Sequence, residues 1–365
     1  MKFSIPREAL LSPIAQVVNV VERRQTLPVL ANFLIEAVDD GLRITGTDME
    51  VELVGRANAE VAQTGAITVP ARKLVDICKA LPEGVQINVQ LNDDKLAIHA
   101  GRSRFTLATL PAGEFPSSDQ AESLASYTLN QGRLRWLVEK TSFAMAHQDV
   151  RHYLNGLLFE FRDGGLRAVA TDGHRLALAE MEAEISGDVR SLIVPRKGVL
   201  EMNRILDDVD QPLSVVIGQG FLRIDRDKTM MTTKLIDGRF PDYEAVIPMA
   251  TDQALIINRN EFIHALQRAA ILSNEKYRGV RLDLDGGLVR VIAHNPQQEE
   301  AIEELEAEHT FDKLKVGFNV NYLLDALQSI DGEKVRIALR DANSSCLVTD
   351  VDSDAVRQVV MPLKL

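Results

Sequence analysis

Cysteine is nearly missing from this 365-residue chain. Only Cys78 and Cys346 occur, and neither sits in a Cys-x-x-Cys pair. Each lies in an apolar run, so both read as buried free thiols of a reducing compartment; a disulfide framework and a structural zinc site are excluded. Tryptophan occurs once. No apolar run approaches the ~18 residues of a membrane span. The opening Met-Lys-Phe-Ser-Ile-Pro-Arg-Glu has no apolar core for a secretion signal, so a cytoplasmic location with no membrane is expected. The seven histidines are scattered without ligand spacing, and no metal or cofactor is expected. There is no Gly-x-Ser-x-Gly elbow, P-loop or His-Glu-x-x-His motif. Positive charge is also short. A net charge of -12 taken as a whole argues against a nucleic-acid partner.

What is present is repetition. Val69-Pro70 recurs as Val194-Pro195, and Phe115-Pro116 as Phe240-Pro241, both 125 residues on. Thr47-Asp48 recurs as Thr171-Asp172. A fainter third copy carries Gly317 to Leu327 and ends Val359-Val360-Met361-Pro362. The period is that of a whole domain. Each copy reads as a short strand, an amphipathic helix, alternating strands joined by Asp/Gly turns, a second helix and more strands. Asn130 and Asn258 are candidate helix caps, and Pro13 must be tolerated within or near the first helix. The expected fold class is α+β: three repeated domains, each with two helices and about eight mostly antiparallel strands. The polar joints place the boundaries at 1–124, 125–249 and 250–365.

Charge is distributed unevenly. The six helix zones together carry +8, which leaves -20 for the strands and loops. Helices facing one way would make a basic surface within an acidic body, suited to a phosphate backbone. Solvated helix faces account for the same numbers.

Val169 to Leu178 contains the residues that most resemble a catalytic group. Asp172 and His174 read as an acid–base pair, with Ser142 or Thr171 as nucleophile. Asp48 repeats Asp172 in a copy with no histidine, which makes the Thr-Asp pair scaffold. The unshared Gly173-His174-Arg175-Leu176 is then where function was added.

Several longer stretches carry a resemblance. They include Gly46-Thr47-Asp48, Val69-Pro70-Ala71-Arg72-Lys73 and Gly101-Arg102-Ser103-Arg104-Phe105. They continue with Met145 to Arg151, Tyr153-Leu154-Asn155-Gly156, Ala170 to Leu176 and Asp237 to Tyr243. Ile271 to Lys276 and Val359 to Leu363 complete the set. Along its whole length the chain resembles the sliding clamps, the beta subunits of bacterial DNA polymerase III. The resemblance implies a head-to-tail homodimer whose six domains form a ring, with helices lining a hole that admits double-stranded DNA. It implies a non-catalytic processivity factor. Implied partners are the polymerase III alpha subunit, the clamp loader delta subunit, and other polymerases and repair proteins bearing clamp-binding peptides. A protein-binding scaffold that does not encircle DNA is the alternative.

Three residue sets follow from the same resemblance. The peptide pocket comprises Arg151, Leu154, Thr171, Gly173, His174, Arg175, Leu176, Pro241, Val246, Ser345, Val359, Met361, Pro362 and Leu363. Arg24, Arg72, Lys73, Gln148, Tyr153, Arg196 and Lys197 are expected to face DNA. The dimer contact is expected to join Lys73, Arg102, Arg104, Phe105 and Leu107 to Ile271, Leu272, Glu299, Glu300, Glu303 and Glu304. Ala245, Gln297 and Ile302 depart from the family pattern, where charged residues are usual.

Overall fold

The computed structural model describes residues 1–22, 27–116, 122–249, 251–311 and 313–364. The described residues contain six α-helices: α1 (Arg7–Val17), α2 (Ala71–Ala80), α3 (Gln131–Glu139), α4 (Arg196–Ile205), α5 (Arg259–Ala270) and α6 (Val320–Ser329). They fall at equivalent places in three successive repeats. The described strands number ten, eight and nine in those repeats, all paired antiparallel. The three Asp/Gly turns expected from the sequence join Asn32–Val38 to Gly41–Thr47, Gly156–Arg162 to Gly165–Thr171, and Gly279–Asp285 to Leu288–His294.

The chain divides into two compact units. One comprises Met1–Gly132 with Lys197–Leu235. It holds a five-stranded sheet that ends on the edge strand Ser103–Ala108, and a nine-stranded sheet. The nine-stranded sheet runs through the joint between the first two repeats, where Val51–Ala57 pairs with Thr229–Lys234. The helix α1 packs on this sheet at two glycines. A Cβ on Gly46 would meet Val17 at 2.8 Å, and one on Gly55 would meet Pro13 at 2.7 Å. Pro13 lies inside α1, which continues through it for another turn.

The other unit comprises Arg133–Arg196 with Ile236–Leu365. Its nine-stranded sheet crosses the joint between the second and third repeats through Arg175–Glu182 and Val356–Val360. A four-stranded sheet ends on the edge strand Glu300–Glu306. Asn258 caps α5 by accepting from the Glu261 N–H at 3.1 Å, and Asn319 caps α6 in the same way from Asn321 at 2.9 Å. The helix α5 packs against α6 and against the strand Glu300–Glu306. Alternation along the strands sends one set of side chains toward the helices and the other to the opposite face. That opposite face carries the candidate site.

Candidate functional site

Two loops of the chain are built alike. Thr47 Oγ1 donates to the Val51 carbonyl at 2.9 Å and accepts from the Met49 N–H at 3.0 Å. Asp48 Oδ1 accepts from the Glu50 and Val51 N–H groups at 2.9 and 2.7 Å. In the second repeat Thr171 Oγ1 donates to the Arg175 carbonyl at 2.6 Å and accepts from Gly173 at 3.1 Å. Asp172 Oδ1 accepts from His174 and Arg175 at 2.9 and 3.1 Å. The Thr-Asp pair is therefore a side-chain-closed turn in both copies. Asp172 spends its oxygens on that turn and on Arg175, whose Nε lies 3.1 Å from Oδ2. The apparent Asp–His catalytic pair is a turn and its neighbour.

The unshared residues form a wall over an apolar floor. Leu158, Val169, Leu176, Leu178, Ile193 and Val359 cluster on one face of the nine-stranded sheet. Tyr153, Ile236, Phe240, Tyr243, Ile247 and Leu347 pack against them. Leu154, Leu176 and Val359 are buried, while Val246 and Met361 are 44% and 38% exposed. Val, Leu and flexible Met around an open apolar patch suit an apolar peptide side chain. Pro241 is exposed, and Ser345, Pro362 and Leu363 are half-buried.

Polar groups hold this wall in shape. The Arg175 guanidinium is committed to the protein itself. Its Nη2 donates to the Phe143 carbonyl at 2.8 Å, its Nη1 to Asp325 on α6, and it lies 4.7 Å from the Tyr322 ring centroid. His174 stacks on the same Tyr322 ring, with 6.4 Å between centroids. The C-terminal segment is tied on by the Met361 N–H donating to the His174 carbonyl at 3.0 Å and the Leu363 N–H to Gly317 at 2.7 Å.

Arg151 grips Asp149 through Nε at 2.9 Å and Nη2 at 2.8 Å, which pulls the Asp149 carboxyl down to about 2. The guanidinium lies over Gly173, where a Cβ would meet it at 3.2 Å. At the far end, the Tyr243 hydroxyl donates to Glu160 at 2.5 Å and accepts from Arg162 and Arg167 at 3.0 and 2.8 Å. Burial and the bond to Glu160 push this phenol up to about 12. Sequence reasoning places Asp149 only within the stretch Met145 to Arg151, whose loop from His147 to Arg151 is expected to reach the pocket rim, and it misses Tyr243, Asp325 and Leu347 as site residues. Tyr243 stood inside the recognised Asp237–Tyr243 stretch. Leu347 shared the alternation of Cys346–Asp350. Nothing in the sequence paired Asp325 with Arg175.

The expected DNA-facing residues have varied surroundings. Arg72 and Gln148 are exposed, Gln148 at a φ of 56°. Arg72 donates to the Val21 carbonyl at 2.8 Å. Lys73 is exposed. Tyr153 packs against the apolar floor, and Arg196 is half-buried with one bond to the Met145 carbonyl at 3.3 Å. Lys197 is ion-paired with Asp48 and, at 2.6 Å, with Glu22. Arg24 lies outside the described residues.

Among the expected dimer residues, Arg102 and Arg104 are exposed and Ile271 is 77% exposed. Leu107 is buried within its own unit, and Phe105 and Leu272 are half-buried. The four acids have partners within the chain: Glu299 with Asn295 at 2.5 Å, Glu300 with His294 at 3.4 Å, Glu303 with Arg268 at 2.5 Å and Glu304 with Arg290 at 2.7 Å.

Three repeats of two helices with strands, joined by sheets that run through the domain joints, define a sliding-clamp fold. Such proteins are processivity factors and have no catalytic role. The chain belongs to the DNA polymerase III beta subunit family. It matches that family's N-terminal domain over residues 1–119, its central domain over 128–242 and its C-terminal domain over 244–364. It is 52% identical to a beta sliding clamp of Pseudomonas aeruginosa and 48% identical to one of Escherichia coli K12, each match covering 100% of both chains. Among solved structures, a P. aeruginosa sliding clamp bound to griselimycin superposes with a TM-score of 0.97 at 51% identity. Caulobacter crescentus pol III beta does so with a TM-score of 0.94 at 36%; both cover 100% of this chain and of their own.

Proposed function

We propose that two copies of this chain associate head to tail through Ser103–Ala108 of one and Glu300–Glu306 of the other, closing a six-domain ring around duplex DNA. One observation carries this. The sheets that cross the two joints within the chain each have nine described strands, and the two left at the chain's free edges have five and four. Joining five to four completes a third sheet of nine and removes both open edges. The internal repeat also sets a register. Val51 lies opposite Thr233 and Arg175 opposite Val360 at the two joints. The corresponding pairing puts Ala301 beside Phe105 of the partner copy and Glu304 beside Arg102. Ile271 and Leu272 then cover Phe105 and Leu107.

Each copy contributes three domains, divided at 1–124, 125–249 and 250–365. The ring holds DNA by topology and reads no base sequence, with the basic helices toward the phosphates. It works on the cytoplasmic replication apparatus. The apolar floor around Leu176 and Val359 takes short peptides from partners: the polymerase III alpha subunit, the clamp loader delta subunit, and other polymerases and repair proteins. Tethering raises the polymerase's effective concentration at the primer end. The test is retention on DNA. Loaded on a nicked circle by a clamp loader, the protein stays through a rise in salt and leaves once the circle is cut. Loss from intact circles at high salt would mark an electrostatic binder and refute the ring.

A further inference from the structure

The chain contains the floor of the peptide pocket twice, and only one copy is apolar. The strand registers place the two side by side. Leu158 lies between Ile193 and Val169, which faces Leu178. At the joint of the first two repeats, Leu34 lies between Thr68 and Thr45, which faces Val54. In the next row Leu176 pairs with Val359, and Val359 with Leu347. The matching row reads Glu52, Thr232 and Arg223. Five of the seven apolar positions thus become polar: Ile193 is replaced by Thr68, Val169 by Thr45, Leu176 by Glu52, Val359 by Thr232 and Leu347 by Arg223.

The frame around the two floors is the same. Both loops carry the Thr-Asp turn with matching hydrogen bonds. Both have a positive φ at the third position, 77° at Met49 and 89° at Gly173. Both joints are closed by one more backbone bond, Lys234 N–H to the Glu50 carbonyl at 2.9 Å and Met361 N–H to the His174 carbonyl at 3.0 Å. A short 3-10 turn precedes each floor, Pro28–Ala31 and His152–Leu154, and each has an aromatic from a Phe-Pro element packed nearby, Phe115 and Phe240. What differs is the polarity of the floor. Glu52, Thr232 and Arg223 are each half-buried. Arg223 Nε lies 3.3 Å from Thr232 Oγ1, and its guanidinium lies 5.3 Å from the Phe221 ring centroid.

We infer that the joint of the first two repeats is a silenced copy of the peptide site, and that Glu52, Arg223 and Thr232, with Thr45 beneath them, are the residues that keep apolar peptides out. This rests on the proposed reading of the Leu176–Val359 floor as a peptide pocket. An apolar anchor at the silenced joint would strip water from a carboxylate and a guanidinium without replacing their hydrogen bonds, which opposes binding. One chain therefore presents one peptide site although its fold builds two frames. Glu52, Arg223 and Thr232 half-face solvent, whereas Thr45 and Thr68 are buried, and the Thr68 hydroxyl is satisfied there, donating to the Leu110 carbonyl at 3.0 Å and accepting from Asn32 at 2.9 Å.

The probe is a synthetic peptide bearing adjacent Leu and Phe anchors, titrated calorimetrically against the full chain. The unaltered protein takes one peptide per chain, and Leu176→Glu removes that binding. The variant Thr45→Val/Glu52→Leu/Arg223→Leu/Thr232→Val takes two. Should that variant misfold, the milder Glu52→Leu/Arg223→Leu pair is placed in the Leu176→Glu background, where regained binding comes from the new site alone. A photo-crosslinking peptide then labels residues around Met49 and Lys234. A stoichiometry still at one in the folded four-residue variant, or no regained binding in the paired one, overturns the inference. Failure of the unaltered chain to bind at all overturns the pocket reading, and the inference with it.

Discussion

Arg175 lies in the proposed peptide pocket, yet the hydrogen bonds of its guanidinium run to the protein itself. Its donors go to Asp172, Asp325 and the Phe143 carbonyl, and its side chain is 14% exposed. Cutting it to alanine leaves Asp325 and a backbone carbonyl short of a donor. We expect Arg175→Ala to cost about 2–3 kcal/mol of stability in denaturant unfolding. A double-mutant cycle with Asp325→Ala should show a coupling of about 1 kcal/mol or more. Arg175→Lys should recover little, because one ammonium cannot serve three directions. Gly173 makes the complementary case. At a φ of 89°, with Arg151 in van der Waals reach of any Cβ, Gly173→Ala should weaken peptide binding roughly tenfold at a cost of about 1 kcal/mol in stability. Met49 tolerates the same conformation in the first repeat, so the binding loss rather than unfolding is the discriminating readout. The Arg151–Asp149 clasp is insensitive to ordinary pH. Its stabilisation is complete above the usual carboxylate range and is lost only as pH falls toward about 2, so peptide affinity should not change through this pair between neutral pH and pH 5.

Elements were far more legible in the sequence than contacts between them. Helices, hairpins and the Thr-Asp turn recur at one spacing, and each is fixed by local chemistry: caps, Asp/Gly turns, alternation. The Asn258 cap and the tolerance of Pro13 in α1 follow that rule. Arg175–Asp325 and Lys197–Asp48 could not be read, since both join segments more than a hundred residues apart. The helix α4 carries a further example, a buried acid. Glu201 is 3% exposed; one carboxylate oxygen is paired with Arg204, the other has no hydrogen-bond partner among the described residues, and burial raises its pKa above the ordinary value. The folded form therefore binds this proton more tightly than the unfolded chain. The resulting penalty is present above the folded value and fades as pH falls below the ordinary carboxylate range. Glu201→Gln should raise stability at neutral pH by about 1 kcal/mol, with the gain shrinking in acid, as followed by thermal unfolding across pH. At the sheet edges, Ile271→Ala with Leu272→Ala should give monomers by sedimentation, because the proposed contact buries the 77% exposed Ile271 and the half-buried Leu272 on Phe105 and Leu107 of the partner copy. An unchanged dimer would place the contact elsewhere.

For the whole molecule the question is how an acidic protein holds an acidic polymer. The division of charge between helices and strands was readable, but the partners of individual cations were not. Arg72 is exposed and spends one donor on the Val21 carbonyl, whereas Lys197 is already neutralised by Asp48 and Glu22. A cation that keeps its counter-ion in the protein releases little when phosphate arrives. Arg72→Ala should therefore lower the slope of log affinity against log salt by about 1 for open DNA. Lys197→Ala should lower it less, and should instead destabilise its unit by leaving the buried Asp48 side chain without its cation. Neither change should shorten the stay on a closed circle at high salt, where retention comes from ring closure and not from phosphate contacts. If Arg72→Ala speeds loss from intact circles as much as it weakens binding to open ends, phosphate attraction, and not encirclement, holds this protein on DNA.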